Sequence, residues 1–367
     1  MSLGSNMMNM LLNKAYRRRF PITVNLELLP VCNLNCKMCY IRTSWGEMKE
    51  QGGLKTVDEW LEMAKQLKEA GTLFILLTGG EVFLYPEFKQ LYIELYRMGF
   101  AITINTNATL INENVVEWLS KYPPKCVSIS LYGASDDTYA KLCGCKGMFE
   151  KVQTAIGLLQ KHKIWLECKT ILTPLNFSDL EKCWEFCKER NIPYEVSSYS
   201  FPPVRKVNAE EYLRFSPEEA ADIMVKSNLI MFGKSKCDEV INNKLTKYSE
   251  IKKIEGEVHK GFTCSACNSS CWINWQGKMF PCAMMNNLYS LPFETSFLEA
   301  WEKLKAEADE IISSEKCSHC DKREICSVCP AAIYAETGYF DKSSEYHCRM
   351  TQCLLELMEQ QVKERNL

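Results

Sequence analysis

Apolar positions along the first two-thirds of the chain follow two alternating rhythms. Residues 21–29 (PITVNLELL) form an apolar-rich run of strand length. Val57, Trp60, Leu61, Ala64 and Leu67 then recur at helical spacing. Thr56, with Glu59 three residues on, predicts a capping box for that helix, and Gly71 its stop. The pair of signals repeats. Strands are expected at 73–77, 101–105, 126–131, 165–172 and 194–199. Helices are expected at 86–98 and 113–120, around Phe149, Val152, Ile156 and Leu159, and after a Ser178–Glu181 cap. Six strand–helix units in series imply an α/β fold, a parallel sheet with helical crossovers curved into a barrel or partial barrel. Function then belongs at the C-terminal ends of the strands.

The rhythm loosens over 202–259, where Ser216-Pro217 with Glu219 opens one helix and the rest reads as a bridge. From Cys264 the alternation ends; Trp275-Gln276-Gly277-Lys278 suggests a hairpin turn, and 296–312 and 349–364 suggest helices. The expected division is a tail over 1–20, with Met1 to Asn6 set aside as appended residues. A barrel over 21–200, a bridge over 201–259, a cysteine-rich domain over 260–350 and a final helix over 351–367 follow.

Charge nearly cancels, 44 basic against 46 acidic residues, so a nucleic-acid footprint is not expected. Arg17-Arg18-Arg19 reads as a solvated face. No apolar run approaches the ~18 residues of a membrane span, and no signal peptide is visible; a cytoplasmic location is expected.

Twenty cysteines and only four histidines change the picture. Disulfide scaffolds are short and secreted, whereas clustered cysteines in a long chain point to metal. Thiolate-only ligation suits iron–sulfur clusters or zinc. Cys32, Cys36 and Cys39 form C-x3-C-x2-C just after the first strand. Three thiolates on one loop can hold three irons of a cubane and leave the fourth open for substrate chemistry. A zinc site short of one ligand, or buried structural cysteines, are the alternatives.

The stretch NLELLPVCNLNCKMCY closely resembles the signature of radical S-adenosylmethionine (SAM) enzymes, and Thr78-Gly79-Gly80-Glu81 resembles the family's glycine–glycine–glutamate motif. The resemblance covers roughly 21–199. It implies a partial (β/α)6 barrel of radical SAM type, with SAM and a 4Fe-4S cluster as cofactors. It implies that Gly79, Gly80 and Glu81 hold the SAM amino group, the glycines admitting the ligand for want of a Cβ. Asn107 and Ser130 would face the SAM ribose and carboxylate, and Met38 and Tyr40 the adenine. Lys141 is either a carboxylate contact or a solvated helix lysine. By the same resemblance, one electron from the reduced cluster cleaves SAM to methionine and a 5′-deoxyadenosyl radical, which takes hydrogen from substrate.

Nine cysteines lie between 264 and 348: Cys264, Cys267, Cys271, Cys282, Cys317, Cys320, Cys326, Cys329 and Cys348. Two cubanes need eight. The arrangement resembles a small SPASM-like iron–sulfur domain, with GKMFPC as its G-x4-C element, although Cys326 to Cys329 is C-x2-C where the family has C-x3-C. Two auxiliary clusters are implied, three in all: one on Cys317, Cys320, Cys326 and Cys348, the other on Cys282 and Cys329 with two of Cys264, Cys267 and Cys271. Paired zinc ribbons are the alternative. Of the remaining cysteines, Cys183 and Cys187 should be core, and Cys143 and Cys145 an ordinary loop beside the presumed active-site mouth.

Enzymes of this type mostly act on peptides and proteins. The expected function is therefore hydrogen abstraction from a peptide or protein, leading to crosslinking or oxidation, with an electron donor such as flavodoxin or ferredoxin. Only about twenty residues precede the first strand, short of the ~80–90 of a typical leader-binding domain, which weakens crosslinking. A dehydrogenase or rearrangement enzyme on a small metabolite or cofactor precursor is the second expectation, and a non-catalytic iron–sulfur or zinc scaffold the third.

Overall fold

The computed structural model describes residues 3–205, 212–251, 260–326 and 328–365. The rest of the expected bridge and the extreme termini lie outside the described residues. In chain order the elements begin with α1 (Leu3–Arg18), β1 (Thr23–Glu27), α2 (Trp45–Glu50), α3 (Val57–Glu69), β2 (Phe74–Thr78), α4 (Phe88–Arg97), β3 (Ala101–Thr106) and α5 (Glu113–Lys121). Then follow β4 (Cys126–Ser130), α6 (Asp136–Cys143), α7 (Met148–Lys161), β5 (Leu166–Ile171), α8 (Leu180–Glu189), β6 (Tyr194–Ser197) and α9 (Pro217–Ile251). The cysteine-rich end adds β7 (Ser270–Ile273), β8 (Met279–Phe280), α10 (Phe297–Asp309), α11 (Glu315–Ser318), α12 (Pro330–Thr337) and α13 (Glu345–Arg365).

The strands lie in the order β6-β5-β4-β3-β2-β1-β7-β8. β1 to β6 are parallel, each joined to the next through a helical crossover. Register aligns Val24 with Ile75 and Ile102, and Leu26 with Leu77 and Ile104. These rows are buried with Trp60 and Leu67 of α3 and Leu91 and Leu95 of α4 in one core. Each such side chain contributes about 1.5–3 kcal/mol on leaving water. The capping box of Thr56 and Glu59 is formed, and α3 stops before Gly71 at φ +88°.

The strands do not close on themselves: β6 is an edge, and β1 pairs on its outer side with β7, in parallel register. The sheet was expected to end with the sixth strand; instead the cysteine-rich segment contributes the strand that covers the open β1 edge. Unpaired strand edges are a liability, and all four β7 residues are buried.

Four other expectations differ from the structure. The N-terminal tail contains a helix, α1, anchored at its end: the Tyr16 hydroxyl donates to the Thr263 carbonyl at 3.1 Å and Trp301 Nε1 to the Arg19 carbonyl at 3.3 Å. Arg19 is not merely solvated, since its guanidinium grips Asp309 at 2.6 and 2.9 Å. Ser178 does not cap α8, which starts at Leu180 after a 3-10 turn. The neighbouring Asp179 is turned inward instead, accepting from the Ala134 amide at 2.8 Å and the Thr138 hydroxyl at 2.6 Å. The bridge is largely the long α9, broken at Gly233 (φ +75°), whose Ala220, Ala221 and Ile241 share a second core with Met350, Leu354 and Met358 of α13.

Candidate functional site

The first cysteine loop follows directly from the end of β1. The Leu34 amide donates to Cys32 Sγ at 3.4 Å, the Arg42 amide to Cys39 Sγ at 3.3 Å, and Asn107 Nδ2 to Cys32 Sγ at 3.6 Å. The end of α6 clamps the loop from outside, because the Asn35 and Lys37 amides donate to the Cys143 and Leu142 carbonyls at 2.9 and 3.0 Å. Cys143 and Cys145 are therefore not an ordinary loop. The Cys143 thiol meets that of Cys36, and Cys145 Sγ lies 3.7 Å from the Asn33 carbonyl. Burial, with Glu81 and the other two thiols of the loop adding to it, pushes Cys32 up to about 12. Cys36 is driven well above its ordinary value by its Cys143 contact and by burial. Crowded, buried thiols supplied with N–H donors become thiolates when metal supplies the positive charge. That donor set fits an iron–sulfur cluster.

The glycine–glycine–glutamate segment does something its sequence did not disclose. A Cβ on Gly80 would stand 2.2 Å from the Val31 carbonyl oxygen, and one on Gly79 2.5 Å from that of Leu29. The glycines let β2's end lie flat against the chain entering the cysteine loop, joined by Gly80 N–H to Leu29 O at 2.7 Å and Glu81 N–H to Val31 O at 3.0 Å. Glu81 is 1% exposed. Its carboxylate accepts from the Thr106 hydroxyl at 2.7 Å, the Asn107 amide at 2.8 Å and the Phe83 amide at 3.2 Å. Burial nevertheless raises this acid to about 7.

Asn107 is also committed: besides Cys32 it reaches Asn33 Oδ1 at 2.9 Å, and its own oxygen accepts from Thr109. Asn33, which also donates to Thr109 at 2.8 Å, had no signal in the sequence beyond its place in the loop. Ser130 ends β4 half-buried. Lys141 pairs with Asp137 at 2.6 Å on the exposed face of α6, the second of its two expected roles.

Met38 and Tyr40 line a cavity of about 520 Å³ beyond the strand ends. Its walls include Met224 of α9, Met284, Cys329 from the cysteine-rich end and Met350 of α13. Tyr199 and His347 supply its polar edge, their rings 4.6 Å apart. The Tyr199 hydroxyl donates to Glu336 at 3.0 Å, and Arg214 pairs with the same carboxylate at 2.5 and 3.1 Å. Beneath Tyr40, Glu27 is fully buried and takes both Arg205 nitrogens, at 3.0 and 2.7 Å, and the Trp272 indole at 2.9 Å. The sequence reading missed both networks; the one available signal was Glu27, a charge inside an apolar strand.

The structure sorts the later cysteines into two neighbourhoods. Cys282, half-buried and raised by desolvation to about 12, feels Cys329 and Cys264; Cys267, likewise about 12 through burial, feels Cys282 and Cys264. Cys329 caps α12, its sulfur accepting from Ala332 N–H at 3.5 Å. Cys317 is raised first by burial and then by Cys348, Cys326 and Cys320, and these four line a cavity of about 790 Å³. Cys326 and Cys329, three residues apart in sequence, thus differ in the thiols that act on them, although Cys329 also lines that cavity. Cys271 lies in β7, fully buried and in register with Val24, and its thiol feels that of Cys267. A backbone fixed in the sheet aims its side chain into the apolar layer. Among the described residues, no three histidine, cysteine or carboxylate side chains converge on a single-ion site, and no helix is long and apolar enough to cross a membrane.

Residues 26–189 match the radical SAM superfamily. The chain is 25% identical over 343 residues, 89% of this chain and 96% of the relative, to an AdoMet-dependent heme synthase of Methanosarcina barkeri. It is 26% identical over 182 residues to the antilisterial bacteriocin subtilosin biosynthesis protein AlbA of Bacillus subtilis, matching 49% of this chain but 39% of AlbA. Among solved structures, Streptococcus suis SuiB superposes with a TM-score of 0.65 at 19% identity, over 89% of this chain and 77% of SuiB. Native anSMEcpe with bound AdoMet superposes with a TM-score of 0.67 at 16% identity, over 94% of this chain and 99% of that one. These two likenesses concern the fold.

Proposed function

The chain carries a radical SAM domain over residues 26–189, and from that premise we propose that it is an oxidoreductase abstracting hydrogen from a peptide or protein. Cys32, Cys36 and Cys39 would hold a 4Fe-4S cluster. Two auxiliary clusters would be held by Cys264, Cys267, Cys282 and Cys329, and by Cys317, Cys320, Cys326 and Cys348. When bound, the first cluster and SAM supply reductive C–S cleavage and a carbon radical that takes hydrogen from substrate. The chain's own residues hold, orient and exclude water. The edge of Gly79, Gly80 and Glu81 would receive the SAM amino group, with Glu81 positioning that edge through Thr106 and Asn107. Ser130 would meet the ribose or carboxylate, and Met38 and Tyr40 the adenine. Electrons would come from a flavodoxin- or ferredoxin-like donor, and the site suits the cytoplasm.

The methionine-lined cavity carries the choice of substrate. It lies between the first cysteine loop and Cys329, with mostly apolar walls, and no lysine or arginine is among its described lining residues. Flexible methionines accept varied apolar side chains. A haem-like macrocycle, with carboxylate arms, would find no cation on these walls. Its case rests on the full-length likeness to the M. barkeri heme synthase, which favours a cofactor precursor as the second substrate class.

The discriminating experiment supplies the reduced, SAM-loaded protein with a pool of perdeuterated peptides or with a deuterated, propionate-bearing iron tetrapyrrole. Deuterium in 5′-deoxyadenosine from the peptides supports peptide modification; label from the tetrapyrrole alone overturns it.

A further inference from the structure

Just after β3, Ala108 stands in the left-handed region at φ +62° and turns Asn107 and Thr109 toward each other. Thr109 donates twice to Asn107 Oδ1, from its main-chain amide at 3.0 Å and from its hydroxyl at 2.6 Å. A main-chain N–H can only donate, so the end of the Asn107 carboxamide at Thr109 is the oxygen and the far end the nitrogen. That nitrogen reaches Asn33 Oδ1 at 2.9 Å and Cys32 Sγ at 3.6 Å, across 74 and 75 residues of sequence. Asn33 closes the ring by donating to the Thr109 hydroxyl at 2.8 Å.

Asn107 is buried, and its hydrogen-bonding capacity is spent. An amide oxygen has two lone pairs and its nitrogen two N–H groups; Thr109 takes both of the first, Asn33 and Cys32 both of the second. Its main-chain N–H goes to Glu81 at 2.8 Å. Nothing is left for the SAM ribose, the contact implied by resemblance. The Cys32 thiol lies 3.8 Å from Asn33 Oδ1; as a ligand to iron it would have no proton to give and would only accept. Its donors are then the Leu34 main-chain amide at 3.4 Å and the Asn107 side chain. Hydrogen bonds to the sulfurs of a cluster draw charge from it and favour the reduced, more negative state. A buried donor does so with little screening by water.

We propose that Asn107 is a positioning residue acting through Cys32: its N–H, aimed by the Thr109 amide, raises the reduction potential of the first cluster. The inference rests on the proposed function in taking Cys32, Cys36 and Cys39 as the ligands of that cluster, and is independent of the substrate.

The test follows the electron paramagnetic resonance of the anaerobically reconstituted full-length protein against potential, without SAM. The first cluster's signal is the part missing from Cys36→Ala. Asn107→Leu removes the donor. Asn107→Ser withdraws it from Cys32 while its hydroxyl can still accept from the Thr109 amide, and it decides the matter if Asn107→Leu fails to take up iron. With wild-type iron content, reduction should become about threefold to tenfold less favourable, a downward shift of roughly 28–59 mV for one electron. Thr109→Val gives up two side-chain hydrogen bonds of the ring but keeps the main-chain N–H that aims Asn107, so its potential should match wild type. An unchanged potential in the Asn107 variants, or an equal fall in Thr109→Val, overturns the inference. Weakened SAM binding at unchanged potential overturns it in favour of the ribose contact. A signal undiminished in Cys36→Ala overturns the ligand assignment beneath it, which an unchanged potential in the Asn107 variants leaves standing.

Discussion

The Thr106 hydroxyl donates to the Glu81 carboxylate at 2.7 Å, fastening the end of β3 to the end of β2 beside the cysteine loop. The acid so held is raised to about 7 by burial, against an ordinary value of 4.5. The folded protein therefore holds this proton more tightly than the unfolded chain does. The resulting stability is full below about pH 4.5 and is lost as pH rises through 7. Its upper size is about 3 kcal/mol. Thermal melts should show wild-type stability falling relative to Glu81→Gln across that interval. Parallel pH profiles for the two proteins would refute the assignment.

Gly80→Ala places a methyl group 2.2 Å from the Val31 carbonyl oxygen. Backbone on both sides must shift, at a cost of about 1–3 kcal/mol or more. The shift falls on the chain entering Cys32, so the variant should melt lower and reconstitute about four irons fewer, the content of one cubane. Wild-type melting and iron content would show that the close approach is unimportant.

Cys267 and Cys271 should behave differently although they are four residues apart. Cys271→Ala removes a buried sulfur from the apolar layer beside Val24 and should cost about 1–2 kcal/mol with iron retained. Cys267→Ala should lose the iron of one auxiliary cluster. Metal analysis reverses the assignment if the iron loss follows Cys271.

Glu27 and Arg205 form a nearly fully buried pair, with side chains 0% and 9% exposed. Removing one member strands the other, which typically costs about 3–5 kcal/mol. Arg205→Met should therefore be strongly destabilised, and Glu27→Gln with Arg205→Met should recover part of the loss. Denaturant titrations showing the two changes simply additive would contradict the coupling.

Much of this was legible in the residues. The period-2 and period-3.6 runs located all six parallel strands to within a few positions, because a sheet covered by amphipathic helices writes its burial into the sequence. The C-x3-C-x2-C spacing likewise marked one loop, since short-range ligands need no fold to bring them together. What stayed hidden depends on distant neighbours. Ser270–Ile273 is four residues among cysteines, too short to show alternation, yet it completes the sheet beside β1. Cys271 cannot be told from Cys267 in the sequence; only the fold puts Cys271 in β7 and Cys267 in the turn before it. Gly79 and Gly80 looked like openings for a ligand, but their Cβ positions are filled by the Leu29 and Val31 carbonyls. Asn33 and Arg205 have no local pattern at all; their partners lie 74 and 178 residues away.

The most direct measurement takes anaerobically reconstituted protein, counts its iron and zinc, and follows 5′-deoxyadenosine after reduction with SAM. Wild type should carry about twelve irons, three cubanes of four, and release 5′-deoxyadenosine. Cys36→Ala should keep about eight irons and release none. Deoxyadenosine at the wild-type rate from Cys36→Ala would contradict the account at its centre.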